Sequence, residues 1–390
     1  MGVDDRLVYV ANSRGDTIPD FACVGYEYDA TVLPSALEVP AVVEVSPLGD
    51  ERDSARVQAA IDLASSLPLR VSGFRGAVLL SAGRFLINAT LHMAVSGVVL
   101  RGAGDGSGSG AATILQATAL HQHTVVQVAG DDTYDFASSS GVAVSQDYVP
   151  VGAKAINISS VGALDVAVGD LVLVRRPQTP EWVSAIGMDS IRDCTPPLTG
   201  RSCSQWSSSS SRFTMSFERR VTAIEGDTTL HLDAPLVQSL DVRFGGATVY
   251  KAIERRIERV GVEGLRIVSS FNESLVYRDY TWLGGRSLGD YFYDEQHAWT
   301  AVSLQNVRHS FVSRLTCVHL GYACVDVKSG AKHVTVSSVT SLEPVSILTG
   351  GRRYPFNVDG SQAAQTEPAA PTLPRAWRSA SVHALINPQR

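Results

Sequence analysis

The chain is poor in charged residues, in lysine and in long apolar runs. Only 18% of its 390 residues are charged, and four of its 33 basic residues are lysines. The net charge is −6 and no basic stripe is visible, so nucleic acid is not an expected partner. No apolar run reaches the roughly 18 residues that a spanning helix needs, so no membrane segment is expected. The hydrophobic fraction of 44% excludes a chain that is disordered throughout.

Cysteine is also scarce, and no two of the five cysteines have the C-x-x-C spacing of a structural zinc site. Cys194 and Cys203 lie in a Ser/Pro-rich loop and would suit a local disulfide. Cys317 and Cys324 lie in strand-like segments and are predicted to be buried thiols. The first residues, MGVDDRLVYVANSRGD, carry charges where a signal peptide needs an apolar stretch.

One amphipathic helix is predicted early in the chain, in the segment GDERDSARVQAAIDLASSLP. Asp53 or Ser54 is the expected cap, and Pro68 is expected to stop the helix. The segments that follow are short, rich in Val, Leu and Ile, and bounded by Gly, Ser or Asn. No second convincing helix lies between them, so the sequence predicts an all-β fold after an N-terminal helix.

Some of these β segments repeat with similar spacing. The ranges 259–270, 310–321 and 333–344 align so that apolar residues fall in two columns: Val262, Val312 and Val336, and Leu265, Leu315 and Val339. The number of residues from Leu315 to Val339 gives the predicted length of one coil. This pattern is typical of a parallel β-helix, in which each coil stacks its apolar side chains on the coil below. We therefore predict that 76–130 and 258–358 form one continuous parallel coil.

The chain divides into five predicted regions: an N-terminal segment (1–50), the helix and first coils (51–150), a β-hairpin insertion (151–250), further coils (251–360) and an irregular tail (361–390). The insertion contains Gly-Asp turns between apolar runs, which is typical of antiparallel hairpins. The tail is rich in Ala and Pro, and Pro368, Pro371 and Pro374 would each remove a donor from a strand ladder. We expect the tail to add no strand.

Several segments carry a family likeness. GAVLLSAGRF (76–85), VVLRGAG (98–104), IPDFACVGYEY, GDLVLVRRP, DEQHAWTAV and GGRRYPFN resemble the pectate lyase superfamily, within its branch of polysaccharide lyases. The resemblance implies a single-stranded right-handed parallel β-helix with an N-terminal capping helix, an extracellular location and an acidic polysaccharide as partner. In such relatives the coil continues after GGRRYPFN, so the resemblance implies a chain truncated at its C-terminus.

The densest group of polar and aromatic residues lies between 294 and 354. Cleavage of a uronic-acid polysaccharide by β-elimination needs a base for the proton next to the carboxylate and a cation for the carboxylate itself. The catalytic candidates are His297, His319, Lys328, Arg352 and Arg353. A constant coil length predicts one column of His297, His319 and Glu343, and a second column of Lys328 and Arg352.

Other residues in this window are predicted to bind substrate or metal. Trp299 and Tyr322 are candidates for stacking on sugar rings, and Glu343 for contacting substrate. Asp294 and Glu295 would recruit Ca²⁺ or orient an imidazole. Structural alternatives stand beside these roles. The carboxylates Asp294 and Glu295 would cap a turn, the two histidines would be buried against backbone, and the two arginines would brace backbone carbonyls. Lys328 would be an exposed solubilising residue, and Trp299 would lie in the core.

Three functions follow, led by a polysaccharide lyase. The second is an inverting glycoside hydrolase, which needs two carboxyl groups about 6.5–9.5 Å apart, and Asp294 or Glu295 with Glu343 or Asp326 are the candidates. The third is a non-catalytic protein that binds glycans.

Overall fold

The computed structural model describes residues 9–19, 24–29, 32–107, 110–189, 214–281, 287–348, 350–359, 363–368 and 383–384. The chain forms two compact units. The parallel unit comprises Cys23–Thr133 and Arg255–Ile386, and the antiparallel unit comprises Met1–Ala22, Tyr134–Glu254 and Asn387–Arg390. Among the described helices, none is both long enough and apolar enough to cross a membrane.

The helical elements are α1 (Arg52–Ser66), α2 (Val161–Leu164), α3 (Pro180–Ala185) and two 3₁₀ segments, Tyr26–Asp29 and Val242–Phe244. The strands up to residue 129 are β1 (Ala41–Val45), β2 (Gly76–Leu80), β3 (Gly83–Ile87), β4 (Leu91–Met93), β5 (Val98–Gly102), β6 (Thr113–Ala117) and β7 (His123–Ala129). The strands of the antiparallel unit are β8 (Tyr134–Phe136), β9 (Val142–Ala143), β10 (Tyr148–Val149), β11 (Ala155–Asn157), β12 (Leu171–Arg176), β13 (Met215–Glu225), β14 (Thr229–Leu232), β15 (Leu240–Asp241) and β16 (Thr248–Glu254). The remaining strands are β17 (Ile257–Glu258), β18 (Gly261–Ser269), β19 (Val276–Thr281), β20 (Ser287–Phe292), β21 (Ala298–Gln305), β22 (Val307–Val318), β23 (Ala323–Val327), β24 (Lys332–Leu342), β25 (Tyr354–Val358), β26 (Ala363–Pro368) and β27 (His383–Ala384).

Helix α1 packs its apolar face into the core of the parallel unit through Val57, Ile61 and Ala64. The predicted cap is wrong, because Glu51 is the N-cap residue and both Asp53 and Ser54 lie inside the first turn. The buried Asp53 carboxylate instead accepts hydrogen bonds from the backbone of the 48–49 turn and of Leu86. Asp53 therefore ties the helix to the first strands, a long-range role that a local capping pattern does not show.

The larger parallel sheet contains the repeat that the sequence predicts. Its strand order is β1-β2-β5-β18-β22-β24-β26, with β27 antiparallel at the end, β6 beside β18 and β3 beside β6. Val262 pairs with Val312 and Val312 with Val336. Leu265 likewise pairs with Leu315 and Leu315 with Val339. Both predicted columns are confirmed residue for residue.

A second parallel sheet has the order β25-β23-β21-β7-β4. Strands from 76–130 and from 258–358 are neighbours in both sheets, since β5 pairs with β18 and β7 pairs with β21. The two ranges therefore belong to one parallel stack, as predicted. Apolar side chains from both sheets form a single buried cluster.

The long strands bend at residues with left-handed backbone, and these recur every five positions. Along β22 and the residue after it, φ is positive at His309, Arg314 and His319. Along β24 and the residue after it, φ is positive at His333, Ser338 and Glu343. Histidine tolerates this conformation better than most residues other than glycine. Three histidines therefore have a backbone reason for their positions that is independent of chemistry.

The antiparallel unit has its own core and begins earlier than predicted. Its main sheet has the order β11-β14-β13-β12-β16-β8, with β9 also beside β16 and a bridge between Val144 and Ile158. The predicted hairpins are confirmed, because β12 pairs antiparallel with β13, and β13 with β14. The unit covers 134–254 rather than 151–250, since β8 and β9 pair with β16.

Two predictions about the C-terminal part are wrong. Ala363–Pro368 pairs in parallel with β24, so this segment of the tail does add a strand. Its only proline, Pro368, is its last residue, where the missing N–H costs little. Cys317 and Cys324 are buried as predicted, but they form a disulfide with 5.6 Å between their Cα atoms. They are close because β22 ends and β23 begins on either side of a short turn. Cys194 and Cys203 lie outside the described residues.

Candidate functional site

Three aromatic residues lie side by side where neighbouring strands of the second sheet begin: Trp299 in β21, Tyr322 directly before β23 and Tyr354 in β25. We call these three residues the aromatic ladder. The Tyr322 N–H donates to the Trp299 carbonyl at 2.8 Å, and the Tyr354 N–H donates to the Tyr322 carbonyl at 2.7 Å. The Trp299 and Tyr322 rings are stacked, with centroids 6.2 Å apart and planes 7° apart. Tyr354 meets Tyr322 edge-on at 5.7 Å and is 40% exposed. Partly exposed rings in a row suit the apolar faces of sugars.

The turn before β23 holds Trp299 in place. A Cβ atom on Gly321 would lie 2.4 Å from Cε3 of Trp299, so the indole rests directly on the Gly321 backbone. The same turn is closed by the Cys317–Cys324 disulfide and contains His319, with φ of 63°. The backbone of this turn therefore decides where two rings of the ladder lie.

Glu295 forms an ion pair with Arg352. Nε of Arg352 donates a hydrogen bond to Oε1 of Glu295, and Nη2 of Arg352 donates one to Oε2 at 3.2 Å. The pair raises the pKa of Arg352 above its ordinary value, chiefly through the hydrogen bond from Arg352 to Glu295. The Arg352 guanidinium carbon lies 5.7 Å from the centre of the Trp299 ring. Arg352 thus lies beside the ladder with its charge already compensated.

Asp294 caps a turn, which was the structural alternative. It is 3% exposed, and its two oxygens accept the N–H groups of Asn272 at 2.7 Å and Gln296 at 2.8 Å. Ca²⁺ needs six to eight oxygen ligands, and both predicted carboxylates are already engaged. Over the described ranges, no three His, Cys, Asp or Glu residues are grouped to hold a metal. The residues present do not fit a calcium site.

His297 is a core residue, so the expectation that it faces a groove is wrong. It is 0% exposed; Nε2 donates to the Val345 carbonyl at 2.9 Å and Nδ1 lies 2.9 Å from the Ser269 hydroxyl. Burial lowers its pKa below the ordinary value, so the ring is neutral. His297 precedes a strand of the second sheet, whereas His319 and Glu343 follow strands of the first. A constant spacing along the sequence does not reveal that change of sheet.

His319 and Glu343 do lie together, as predicted. Nε2 of His319 is 3.0 Å from Oε2 of Glu343, and the His319 N–H donates to the Leu342 carbonyl at 3.1 Å. The His319 ring meets the Phe271 ring edge-on at 5.0 Å. Within the described part of the chain, Nδ1 of His319 has no hydrogen-bond partner. The pair thus leaves Nδ1 without a described partner, on a side chain that is 27% exposed.

Arg353 donates hydrogen bonds to backbone carbonyls and keeps part of its guanidinium group available for a further hydrogen bond. Nε donates to the Ser346 carbonyl at 3.1 Å, and Nη2 donates to the Phe292 carbonyl at 3.1 Å. Burial lowers the pKa of Arg353 below its ordinary value. Its guanidinium carbon lies 5.2 Å from the centre of the Tyr291 ring. Among the described residues, no carboxylate pairs with Arg353.

The predicted column of Lys328 and Arg352 is wrong. Ala323 pairs with Tyr354 and Val327 pairs with Val358. In this register the position opposite Lys328 is Asp359, not Arg352. The reason is the long connection between β24 and β25, which a constant coil length does not include. Lys328 Nζ instead lies 3.6 Å from Oδ2 of the buried Asp326.

Sequence reasoning missed five aromatic residues. Tyr354 completes the ladder, and four tyrosines occupy the hairpin formed by β19 and β20 and its exit: Tyr277, Tyr280, Tyr291 and Tyr293. A signal for the hairpin was present, because VYRDYT and DYFYD flank Gly284-Gly285. Aromatic residues on both sides of a glycine pair are typical of a β-hairpin.

Comparisons with known proteins give a distant structural likeness. No family model matches the chain, and no curated protein matches it significantly. Among solved structures, the Pseudomonas phage phi297 tailspike gp61 is 12% identical, with a TM-score of 0.38 over 74% of this chain and 35% of that one. The Pseudomonas phage LKA1 tailspike gp49 is 16% identical, with a TM-score of 0.31 over 82% of this chain and 50% of that one.

A third similar structure is the Gp54 tailspike of the Acinetobacter baumannii bacteriophage AP22 in complex with a capsular saccharide. It is 10% identical, with a TM-score of 0.28 over 75% of this chain and 48% of that one. The chain thus spans a third to a half of the length of these tailspikes. At these TM-scores the likeness carries no argument about function.

Proposed function

We propose that this protein binds a polysaccharide along the aromatic ladder. The observation that carries the proposal is the row of Trp299, Tyr322 and Tyr354 at the starts of three neighbouring strands, with partly exposed rings. Neighbouring strands are about 4.8 Å apart, close to the length of one sugar unit, so the row offers successive rings to successive sugars. Aromatic faces bury the C–H surfaces of sugars while their rims remain in water.

The polysaccharide that we propose is acidic. Arg353 has a guanidinium group without a carboxylate partner among the described residues, and Nη1 is the nitrogen left over after its bonds to carbonyl groups. A uronate carboxylate would supply the missing negative charge through one charge-assisted hydrogen bond.

The reaction that we propose is β-elimination at His319. Glu343 accepts the Nε2 proton and fixes the tautomer, so the lone pair on Nδ1 takes the proton next to the uronate carboxylate. Arg353 stabilises the charge that develops on the carboxylate. The C5–H electrons form a C4=C5 double bond, the C4–O bond breaks, and the leaving oxygen takes a proton from water. No metal is needed for this step.

We also propose that the parallel unit is a right-handed parallel β-helix with α1 as its N-terminal cap, and that the chain is exported. The two parallel sheets and the packing of α1 on β1–β5 support the first statement. The buried Cys317–Cys324 disulfide supports the second, because disulfides persist mainly outside the reducing cytosol.

A non-catalytic glycan-binding function is the second candidate. The observation that favours it is the burial of His297, which removes one of the two predicted imidazoles. The inverting hydrolase loses support, because Asp294 accepts two backbone N–H groups and Glu295 holds Arg352.

A panel of polygalacturonate, glucuronan and alginate tests the proposal. We expect one of the three to be retained and cleaved with ultraviolet-absorbing, unsaturated ends. Tyr322→Ala should weaken binding about tenfold, while His319→Ala should bind normally and cleave nothing. New reducing ends without absorbance would mean hydrolysis, and retention without cleavage would leave the binding function. If the unmodified protein retains none of the three, the proposed function is wrong.

A further inference from the structure

The hairpin formed by β19 and β20 is an addition to the parallel unit rather than part of its core. Among the described strands, β19 and β20 pair only with each other, whereas β18 pairs directly with β22. Because the hairpin is inserted between β18 and β22, many more residues separate Val262 from its partner Val312 than separate Val312 from its partner Val336. No described residue of the hairpin belongs to the buried apolar cluster. Its aromatic side chains therefore need another explanation than core packing.

Four tyrosines at this hairpin form one continuous group of rings. The centroid of the Tyr277 ring lies 5.3 Å from that of Tyr291, 5.9 Å from that of Tyr280 and 4.5 Å from that of Tyr293. Tyr280 and Tyr291 meet edge-on at 5.2 Å. Tyr277 is 45% exposed. We call these four residues the tyrosine group.

The tyrosine group and the aromatic ladder are joined through two consecutive arginines. Arg352 extends toward Trp299, at 5.7 Å from the ring centre, and Arg353 extends toward Tyr291, at 5.2 Å. The left-handed φ of Arg353, 61°, lets the two neighbouring side chains diverge in this way. Tyr354, the next residue, is the last ring of the ladder. One chain segment therefore contacts both aromatic surfaces.

We infer that the tyrosine group is a second binding surface for the same polysaccharide, holding sugars beyond those on the ladder. This inference rests on the proposed function. Four phenolic rings combine apolar faces with hydroxyl rims and few rotatable bonds, which suits sugars better than an aliphatic protein contact would. The continuity through Arg352 and Arg353 argues that one extended ligand occupies both surfaces. Such a ligand must be a long chain, because a short oligosaccharide fills the ladder alone.

The test measures how tightly variants of the protein bind a short and a long oligosaccharide. The probes are oligosaccharides of three units and of about twelve units, prepared from whichever panel polysaccharide the unmodified protein binds. Tyr277→Ala should weaken binding of the long probe about tenfold and leave the short probe unchanged, whereas Tyr322→Ala should weaken both. Tyr9→Ala is the matched control, because Tyr9 is 42% exposed and lies in neither surface.

Each outcome separates this inference from the proposed function. If the unmodified protein binds no probe, both are wrong. If it binds both probes and Tyr277→Ala behaves like Tyr9→Ala on the long probe, only the second surface is wrong. If Tyr277→Ala instead changes the oligomeric mass in sedimentation and leaves long-probe binding intact, the tyrosine group is a protein contact and the inference is overturned. An equal loss on both probes also overturns it.

Discussion

At the scale of single residues, the ladder depends on a glycine as much as on its aromatic rings. The Trp299 indole lies against Gly321, whose backbone does not have positive φ, so the close approach of the ring, and not the backbone conformation, excludes alanine here. The choice of residue at 321 thus follows from a side chain on the preceding strand of the second sheet.

Gly321→Ala should displace the indole, because its Cβ would come within 2.4 Å of Trp299. We expect at least a fivefold loss of polysaccharide affinity and a shift in tryptophan fluorescence, with unchanged far-ultraviolet circular dichroism. Gly350→Ala is the control, since a Cβ atom there would meet nothing within 4 Å. Unchanged fluorescence and affinity in Gly321→Ala would show that the ladder does not need this contact.

A buried histidine away from the ladder makes stability depend on pH. His333 is 3% exposed. Its ring stacks on the His309 ring, with centroids 5.0 Å apart, and its centroid lies 4.3 Å from that of the Tyr28 ring. Burial lowers its pKa well below the ordinary value of 6.5, and the neighbouring Lys332, His309 and Arg308 lower it further. The folded state therefore keeps this ring neutral at a pH where the unfolded chain binds a proton.

The sign of the effect follows from this difference. Above pH 6.5 neither state binds the proton and the full stability is present. As the pH falls below 6.5, the unfolded chain binds a proton that the folded state does not, so the free energy of unfolding falls, by up to about 2 kcal/mol at pH 5. Urea unfolding at pH 7.5 and pH 5.0 measures it. His333→Asn tolerates the left-handed backbone without titrating, so its loss should be smaller by about that amount. Equal pH dependence in both proteins would contradict the assignment.

At the scale of elements, the turn between β22 and β23 links the two parallel sheets. Its ends are joined by the Cys317–Cys324 disulfide, whose sulfur atoms lie among fully buried residues. The turn contains His319 and Tyr322, one from the catalytic proposal and one from the ladder. Holding this corner fixes both groups at once.

Cys317→Ala with Cys324→Ala should lower the free energy of unfolding by about 2–3 kcal/mol, because the disulfide closes only a short loop. Hydrogen exchange should rise first in the 318–323 turn. Denaturant unfolding and labelling of free thiols in unfolded protein check this. Thiol labelling of the unmodified protein without reductant would show that the bond is absent.

At the scale of the whole molecule, function and framework draw on different parts of the sequence. The parallel stack uses side chains that alternate in and out along the strands, while the proposed sites use residues at strand starts, in turns and in the added hairpin. Loops positioned by a rigid scaffold commonly carry binding residues. The antiparallel unit has a separate core, to which the proposed sites contribute no residue.

The sequence by itself determined the parallel register. A shift of one residue would turn every apolar side chain to the wrong face, so the alternation around Val262, Val312 and Val336 admits one alignment. The pairing of His319 with Glu343 followed from the same spacing. Only the tertiary structure decided that His297 is buried, that Lys328 and Arg352 are apart, and that Tyr354 completes the ladder. Those outcomes depend on which sheet a residue enters and on the length of each connection, and neither is encoded in the local alternation of side chains.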